Sequence, residues 1–205
     1  MRWSILFTVL LLGIAPARAE PLGEPEEGLA AATFAGGCFW CVEEAYDGVE
    51  GVVRTISGYT GGHARDPSYR QVVAGGTGHA EAVRVVYDPQ KVDYAYLLKV
   101  FWYNIDPTVE NRQFCDSGSQ YRTAIYYHSP EQRKLAEQTR DELEASGVLP
   151  GPIVTEIEPV SEFWVAEEYH QNYWRKNPVR YKFYFTACGR GDRLEELWGD
   201  KAQFS

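Results

Sequence analysis

Positive charge is scarce in this chain. Its 205 residues hold 20 Lys and Arg against 29 Asp and Glu, a formal charge of −9. Nucleic acid and anionic membrane are thereby excluded as main partners. Repeats and low-complexity tracts are absent, which excludes solenoids and arrays. A second closely spaced Cys/His pair is absent too. Cys38 and Cys41 form a C-x-x-C, but Cys115 and Cys188 are isolated and His63, His79, His128 and His170 are scattered. Half a zinc site without its other half argues against a metal. No apolar run reaches the ~20 residues of a membrane span. The apolar stretch Trp3–Ile14 stops short of that, with Arg2 before it and Ala17 and Ala19 in an A-x-A arrangement after it. That is the pattern of a cleavable secretory leader over residues 1–19.

What remains after such a leader is an exported chain, periplasmic in the simplest case. Without Arg2 and Arg18, 18 basic residues face 29 acidic ones, a charge of −11. The acidic stretch "EPLGEPEEG" reads as a flexible linker over residues 20–30. Residues 31–205 then suit one domain.

Strand-like segments end at Gly37, precede the glycine-rich loop from Gly58, and cover "AEAVRVVYDP", "TAIYYHSP" and "PIVTEIEPV". Helical spacing starts near Cys38, covers Tyr94–Tyr103, and recurs over Pro130–Ser146 with Gly147 beyond its end. Phe163–Lys176 reads as an aromatic helix stopped by Asn177-Pro178, and the tail from Tyr181 as irregular. Strands and helices alternate unevenly. The expected class is α+β: a two-layer sandwich with a mixed sheet, flanking helices, a ferredoxin-like core and an irregular C-terminal tail.

The stretch "GGCFWC" carries the chemistry. Glycines before a helix start leave first-turn N–H groups free. A thiol there feels the positive end of the helix, which lowers its pKa and makes it a nucleophile. Cys38 is so placed, with Cys41 one turn on as a partner. An even cysteine count in an exported chain also fits two structural disulfides, and four cysteines allow three pairings. A thioredoxin-type disulfide oxidoreductase is a further reading of the C-x-x-C. The bulky Phe39 and Trp40 beside the nucleophile point instead to a substrate with an apolar group next to the attacked atom.

The blocks "ATFAGGCFWCVE", "SGYTGG", "DPSYRQV", "GTGHAEAVRVVYDP", "FWYNIDPT", "CDSGSQYRTAIYY", "PIVTEIEP", "AEEYHQNYWRKNP" and "RLEELWG" resemble peptide methionine sulfoxide reductase A, in order, over Ala32–Gly199. On sequence alone Glu81 is a carboxylate at a strand start, Tyr69 and Tyr121 are packing rings, and Asp116 is a turn residue. The resemblance makes Cys38 the nucleophile and Glu81 the acid that protonates the sulfoxide oxygen. It makes Tyr69 and Tyr121 hydroxyl donors to that oxygen, and Asp116 an orienting carboxylate. It makes Phe39 and Trp40 the walls of a methyl pocket that accepts the S epimer.

The resemblance implies a cycle through a Cys38 sulfenic acid and an intramolecular disulfide, reduced by a thioredoxin-like dithiol. Neither metal nor bound organic cofactor is implied. The substrates are methionine sulfoxide in exported proteins and the free amino acid. Cys188, on a tail expected to be mobile, is the first candidate to resolve the sulfenic acid, Cys41 the second; Cys115 lies beside the pocket residue Asp116. Met1 is the only methionine, so the mature enzyme would not be its own target.

Overall fold

The computed structural model describes residues 22–202; the expected leader, 1–19, lies outside the described residues. The elements are β1 (Ala30–Gly36), α1 (Phe39–Asp47), β2 (Val52–Thr60), α2 (Tyr69–Val73), β3 (Ala80–Tyr87), α3 (Tyr94–Tyr103), β4 (Arg112–Gln113), β5 (Asp116–Ser117), β6 (Thr123–Tyr127) and α4 (Pro130–Ser146). They continue with β7 (Glu156–Pro159), β8 (Trp164–Val165), α5 (Tyr173–Lys176), α6 (Pro178–Ala187) and α7 (Arg190–Trp198).

Six strands form one mixed sheet in the order β7-β6-β1-β3-β2-β8. All its neighbours are antiparallel except β6 and β7. At its centre, β1-α1-β2-β3-α3-β6 with spatial order β6-β1-β3-β2 is the expected ferredoxin-like core. Every residue of β3 is buried, because helices cover one face and chain covers the other. Phe34, Val83, Val85 and Ile125 pack against Val42 and Tyr46 of α1 and Leu97, Leu98 and Phe101 of α3. Small residues line the opposite face: Ala35, Ala80, Ala82 and Ala124, with Tyr126 and Phe163.

That second face holds the segment expected to be a flexible linker. Leu22 N–H donates to Phe163 O at 2.9 Å, and Arg84 donates to Leu22 O at 3.2 Å. Arg54 pairs with both carboxylate oxygens of Glu26 at 2.7 and 2.9 Å.

Caps define the clearest helices. Asp93 accepts from Tyr96 N–H at the start of α3. Ser129 accepts from Gln132 N–H at the start of α4, with Pro130 in the first turn and left-handed Gly147 at the end.

Two expectations need correction. Phe163–Lys176 is not one helix. Trp164 and Val165 pair with Tyr59 and Gly58 as an edge strand, and Asn172 takes a left-handed conformation (φ 54°) before the single turn of α5. Its aromatic spacing reflects rings packed into different neighbours: Phe163 behind the sheet, Tyr173 over the cysteines. The tail after Tyr181 is not irregular either. It lies in α6 and α7, joined at left-handed Gly189. Tyr181 is buried on the cysteine cluster, and Leu194, Leu197 and Trp198 pack with Tyr103 and Leu143.

Candidate active site

The site begins where β1 ends. Gly37 has φ +83°, and an added Cβ would stand 2.5 Å from Cβ of Gln113. Gln113 cannot withdraw, since its amide exchanges hydrogen bonds with the Asp106 backbone at 3.0 and 2.7 Å. The two glycines therefore let the chain turn tightly and deliver Cys38 to the N-cap of α1.

Helix α1 does not leave its first amide free for the thiol. Phe39 N–H donates to Oε2 of Glu81 at 3.1 Å. Glu81 stands opposite Tyr59 on the helix-covered side of β3 and is 2% exposed. Burial, helped by the charge of Asp116, pushes its carboxyl up to about 8 against the pull of the Phe39 amide. Glu81 is thus a carboxylic acid at neutral pH. Its proton belongs on Oε1, because Oε2 is the acceptor.

All seven residues singled out in the sequence for catalysis and substrate binding meet around one cavity of about 60 Å³: Cys38, Tyr69, Glu81, Asp116 and Tyr121, with Phe39 and Trp40 as walls. Tyr69 comes from α2, inside the long glycine-rich loop, and its N–H is held by Glu167 at 2.9 Å. The other oxygen of Glu167 accepts from Tyr59 at 2.9 Å. Burial pushes the Tyr69 and Tyr121 phenols up, with Glu81 the next cause for both, so each is a proton-bearing donor. Trp40 stacks on Tyr173 with centroids 3.7 Å apart. Its indole N–H donates to Nδ1 of His170 at 3.1 Å. Burial holds His170 down at about 4, so it is a neutral ring that locks the indole.

Sequence reasoning missed an eighth lining residue, Tyr184 of α6. Its hydroxyl makes a short hydrogen bond to Asp116. It also missed Glu167, His170 and Tyr173, which hold Tyr69 and Trp40. The block "AEEYHQNYWRKNP" marked the segment without assigning these roles.

The cysteines fall into two pairs. Cys115 and Cys188 form a disulfide across 73 residues. Its loop entropy corresponds to about 4 kcal/mol of stabilisation. Cys38 and Cys41 are free and buried. Cys188 is therefore not on a loose tail: it caps α6 and is already bonded.

The acidity expected of Cys38 is also corrected. Burial, the Cys41 sulfur, Glu81 and Asp116 push its thiol well up. Cys41 is buried as well, which raises it, but a hydrogen bond from Cys38, the Arg190 charge and the Tyr181 hydroxyl outweigh burial. Cys41 is the easier of the two to ionise.

Among the described residues, Cys115, Asp116 and Cys188 form the one group close enough to suggest a metal. Its sulfurs are bonded to each other, leaving one carboxylate rather than a thiolate ligand set.

The arrangement is a buried sulfur nucleophile facing a neutral carboxylic acid and two phenols across a slot walled by aromatics. The sequence model of peptide methionine sulfoxide reductase matches residues 30–202. The chain belongs to the peptide methionine sulfoxide reductase family. It is 48% identical over 171 residues to peptide methionine sulfoxide reductase MsrA of Bacillus pumilus, covering 83% of this chain and 96% of that protein. To MsrA of Methanosarcina acetivorans it is 57% identical over 152 residues, covering 74% and 81%. The crystal structure of Mxr1 from Saccharomyces cerevisiae in reduced form superposes with a TM-score of 0.71 at 33% identity, covering 76% of this chain and 90% of that one. Family membership gives the slot its substrate group, a methyl sulfoxide.

Proposed function

We propose that this protein is a peptide-methionine (S)-S-oxide reductase, which uses thiols to reduce methionine S-sulfoxide, free and in proteins, to methionine. The observation that carries this is the meeting of Cys38 with a protonated Glu81 in one aromatic-walled cavity.

The sulfoxide methyl lies between Phe39 and Trp40, and its oxygen faces Glu81, Tyr69 and Tyr121. Cys38 loses its proton to Cys41 along their hydrogen bond and attacks the sulfoxide sulfur. Glu81 gives its proton to the oxygen as charge develops there. The oxygen then passes to the Cys38 sulfur. The sulfoxide sulfur–oxygen bond and the new bond between the two sulfurs break, and a Cys38 sulfur–oxygen bond forms. Methionine leaves with the electron pair that reduces it, and Cys38 is left as sulfenic acid. The Cys41 thiol then attacks the Cys38 sulfur, forming a disulfide and releasing water. Cys41 takes this role rather than Cys188 because it already touches Cys38, whereas Cys188 is bonded to Cys115. An external thioredoxin-like dithiol reduces the new bridge by thiol–disulfide exchange.

A general disulfide oxidoreductase is the poorer reading. Such an enzyme presents its attacking sulfur to a protein disulfide, while Cys38 is 7% exposed beneath aromatic rings.

Export belongs to the same proposal, supported by the leader pattern of residues 1–19. The working compartment is the periplasm, the clients are oxidised methionines of exported proteins, and the reductant resides outside the cytoplasm. The test is an assay of each sulfoxide epimer with dithiothreitol, on wild type and Cys38→Ser. Consumption of the S epimer alone by wild type, and of neither by the variant, is expected. Turnover by Cys38→Ser would end the reading. Cell fractionation and N-terminal sequencing test the export.

A further inference from the structure

The Cys115–Cys188 disulfide lies outside the chemistry above, yet each half adjoins a cavity residue. Cys115 immediately precedes Asp116. Cys188 follows Tyr184 by one helical turn, its N–H donating to Tyr184 O at 3.0 Å. Asp116 and Tyr184 are themselves joined, phenol to carboxylate, and both line the cavity over Cys38. The disulfide and the Tyr184–Asp116 bond both connect the β5 segment with α6, two elements far apart in sequence.

Asp116 itself comes from a weak element. Strands β4 and β5 are two residues each and pair only with one another. Backbone ladders of that length do not fix a side chain to the tolerance a reaction needs. The disulfide supplies what the short hairpin cannot, a covalent tie from the residue beside Asp116 to the helix that carries its donor.

We propose that the Cys115–Cys188 disulfide is a positioning device for the reductase, holding the Tyr184 hydroxyl on Asp116 at the cavity, and that Tyr184 is a further positioning residue of the reaction. This rests on the proposed function. Tyr184 acts through Asp116, and the bridge acts through Tyr184.

Several charged or titratable groups face Asp116: Tyr184 from α6, Arg190 from α7, Cys38 at the start of α1, Glu81 from β3, Tyr69 from α2, and Tyr121. Tyr184 and Arg190 favour its anion, and that anion is one of the causes that keep Glu81 protonated. Without the Tyr184 hydroxyl, the Asp116 carboxylate is no longer held at the cavity, so its charge raises Glu81 less and Glu81 releases its proton at lower pH. The Trp40 wall is touched by the same helix, since the Tyr184 ring meets Trp40 edge-on at 5.9 Å.

The test compares wild type, Tyr184→Phe, Cys115→Ser/Cys188→Ser and the triple variant in single-turnover reactions with methionine S-sulfoxide and no added reductant, which would open the bridge. The second-order rate constant gives kcat/KM through the chemical step. Tyr184→Phe keeps the bridge, so it guards against a double variant that fails to fold. The expected result is a fall in kcat/KM of about tenfold or more in each, the size of a lost hydrogen bond to a charged group. The alkaline limb of the pH profile moves to lower pH, a change that simple loss of folded protein does not produce. Adding Tyr184→Phe to the double variant produces no further fall, as two changes on one coupled path require. Peptide mapping after one turnover without reductant finds Cys38–Cys41 in all four proteins.

Wild-type kcat/KM and pH profile in Tyr184→Phe would overturn the inference. So would additive losses in the triple variant, or failure of the Cys38–Cys41 bond to form without Cys115 and Cys188. Absence of S-epimer turnover in the wild type is a different result, and would overturn the proposed function itself.

Discussion

The backbone N–H of Phe39 donates to Oε2 of Glu81 across 3.1 Å, tying the first residue of α1 to the second residue of β3. This bond sets the acid beside the residue that follows the nucleophile. It occupies one carboxyl oxygen and leaves the other for the proton. Glu81→Gln keeps an oxygen for the Phe39 amide but has no acidic proton. Its kcat/KM for methionine S-sulfoxide is expected to fall about 10²- to 10⁴-fold. Wild-type activity declines as pH rises through about 8, where Glu81 ionises. That limb is absent from the residual activity of the variant, which a pH series of initial rates checks.

The same group makes folding depend on pH. Glu81 binds its proton more tightly in the folded protein than at the ordinary value of 4.5. Its contribution is fully present below 4.5 and is lost as pH rises towards 8. Glu43, pushed up to about 7 chiefly by burial, acts in the same sense. Urea unfolding at pH 5, 6.5 and 8 should show Glu81→Gln losing less stability than wild type across this range. An equal loss in both proteins would contradict the assignment.

At Gly37 a methyl group is excluded twice, by φ +83° and by the Gln113 side chain. Gly37→Ala is expected to cost about 2–4 kcal/mol in chemical unfolding. It should also reduce turnover in protein that remains folded, because it displaces Cys38. Gly48, at the far end of α1, has open space and φ −90°. Gly48→Ala should therefore leave both quantities close to wild type.

Cys41→Ser separates reduction from recycling. One equivalent of methionine should still form, though more slowly because the variant lacks the Cys41 acceptor for the Cys38 proton. Cys38 sulfenic acid then accumulates, where wild type forms a disulfide. Intact-mass measurement with a sulfenic-acid trap distinguishes the two. A Cys38–Cys188 bond in the variant would show that the tail cysteine can substitute.

Much of this molecule was legible in its residues. Helices α3 and α4 run over the expected Tyr94–Tyr103 and Pro130–Ser146, because spacing, caps and Gly147 agree there. The cavity gathers every catalytic and wall residue that the resemblance implied. What was not legible depends on tertiary surroundings. Phe163–Lys176 has helical spacing, yet β2 recruits Trp164 and Val165 to its edge. Cysteine order gave no pairing, and Cys115 met Cys188 through packing of α6. Burial of Cys38 and diversion of the Phe39 amide to Glu81 reverse the acidity that a helix start alone implies. Tyr184 carried no local signal, being one tyrosine among several in an aromatic segment.

Leu22 and Glu26 are fastened to the sheet face opposite the helices that carry the reactive sulfur. Leu22 therefore lies on the rear of the sheet, away from the side that bears Glu81. A surface or carrier grafted there would hold the enzyme by its back, with the working mouth turned outward to passing clients.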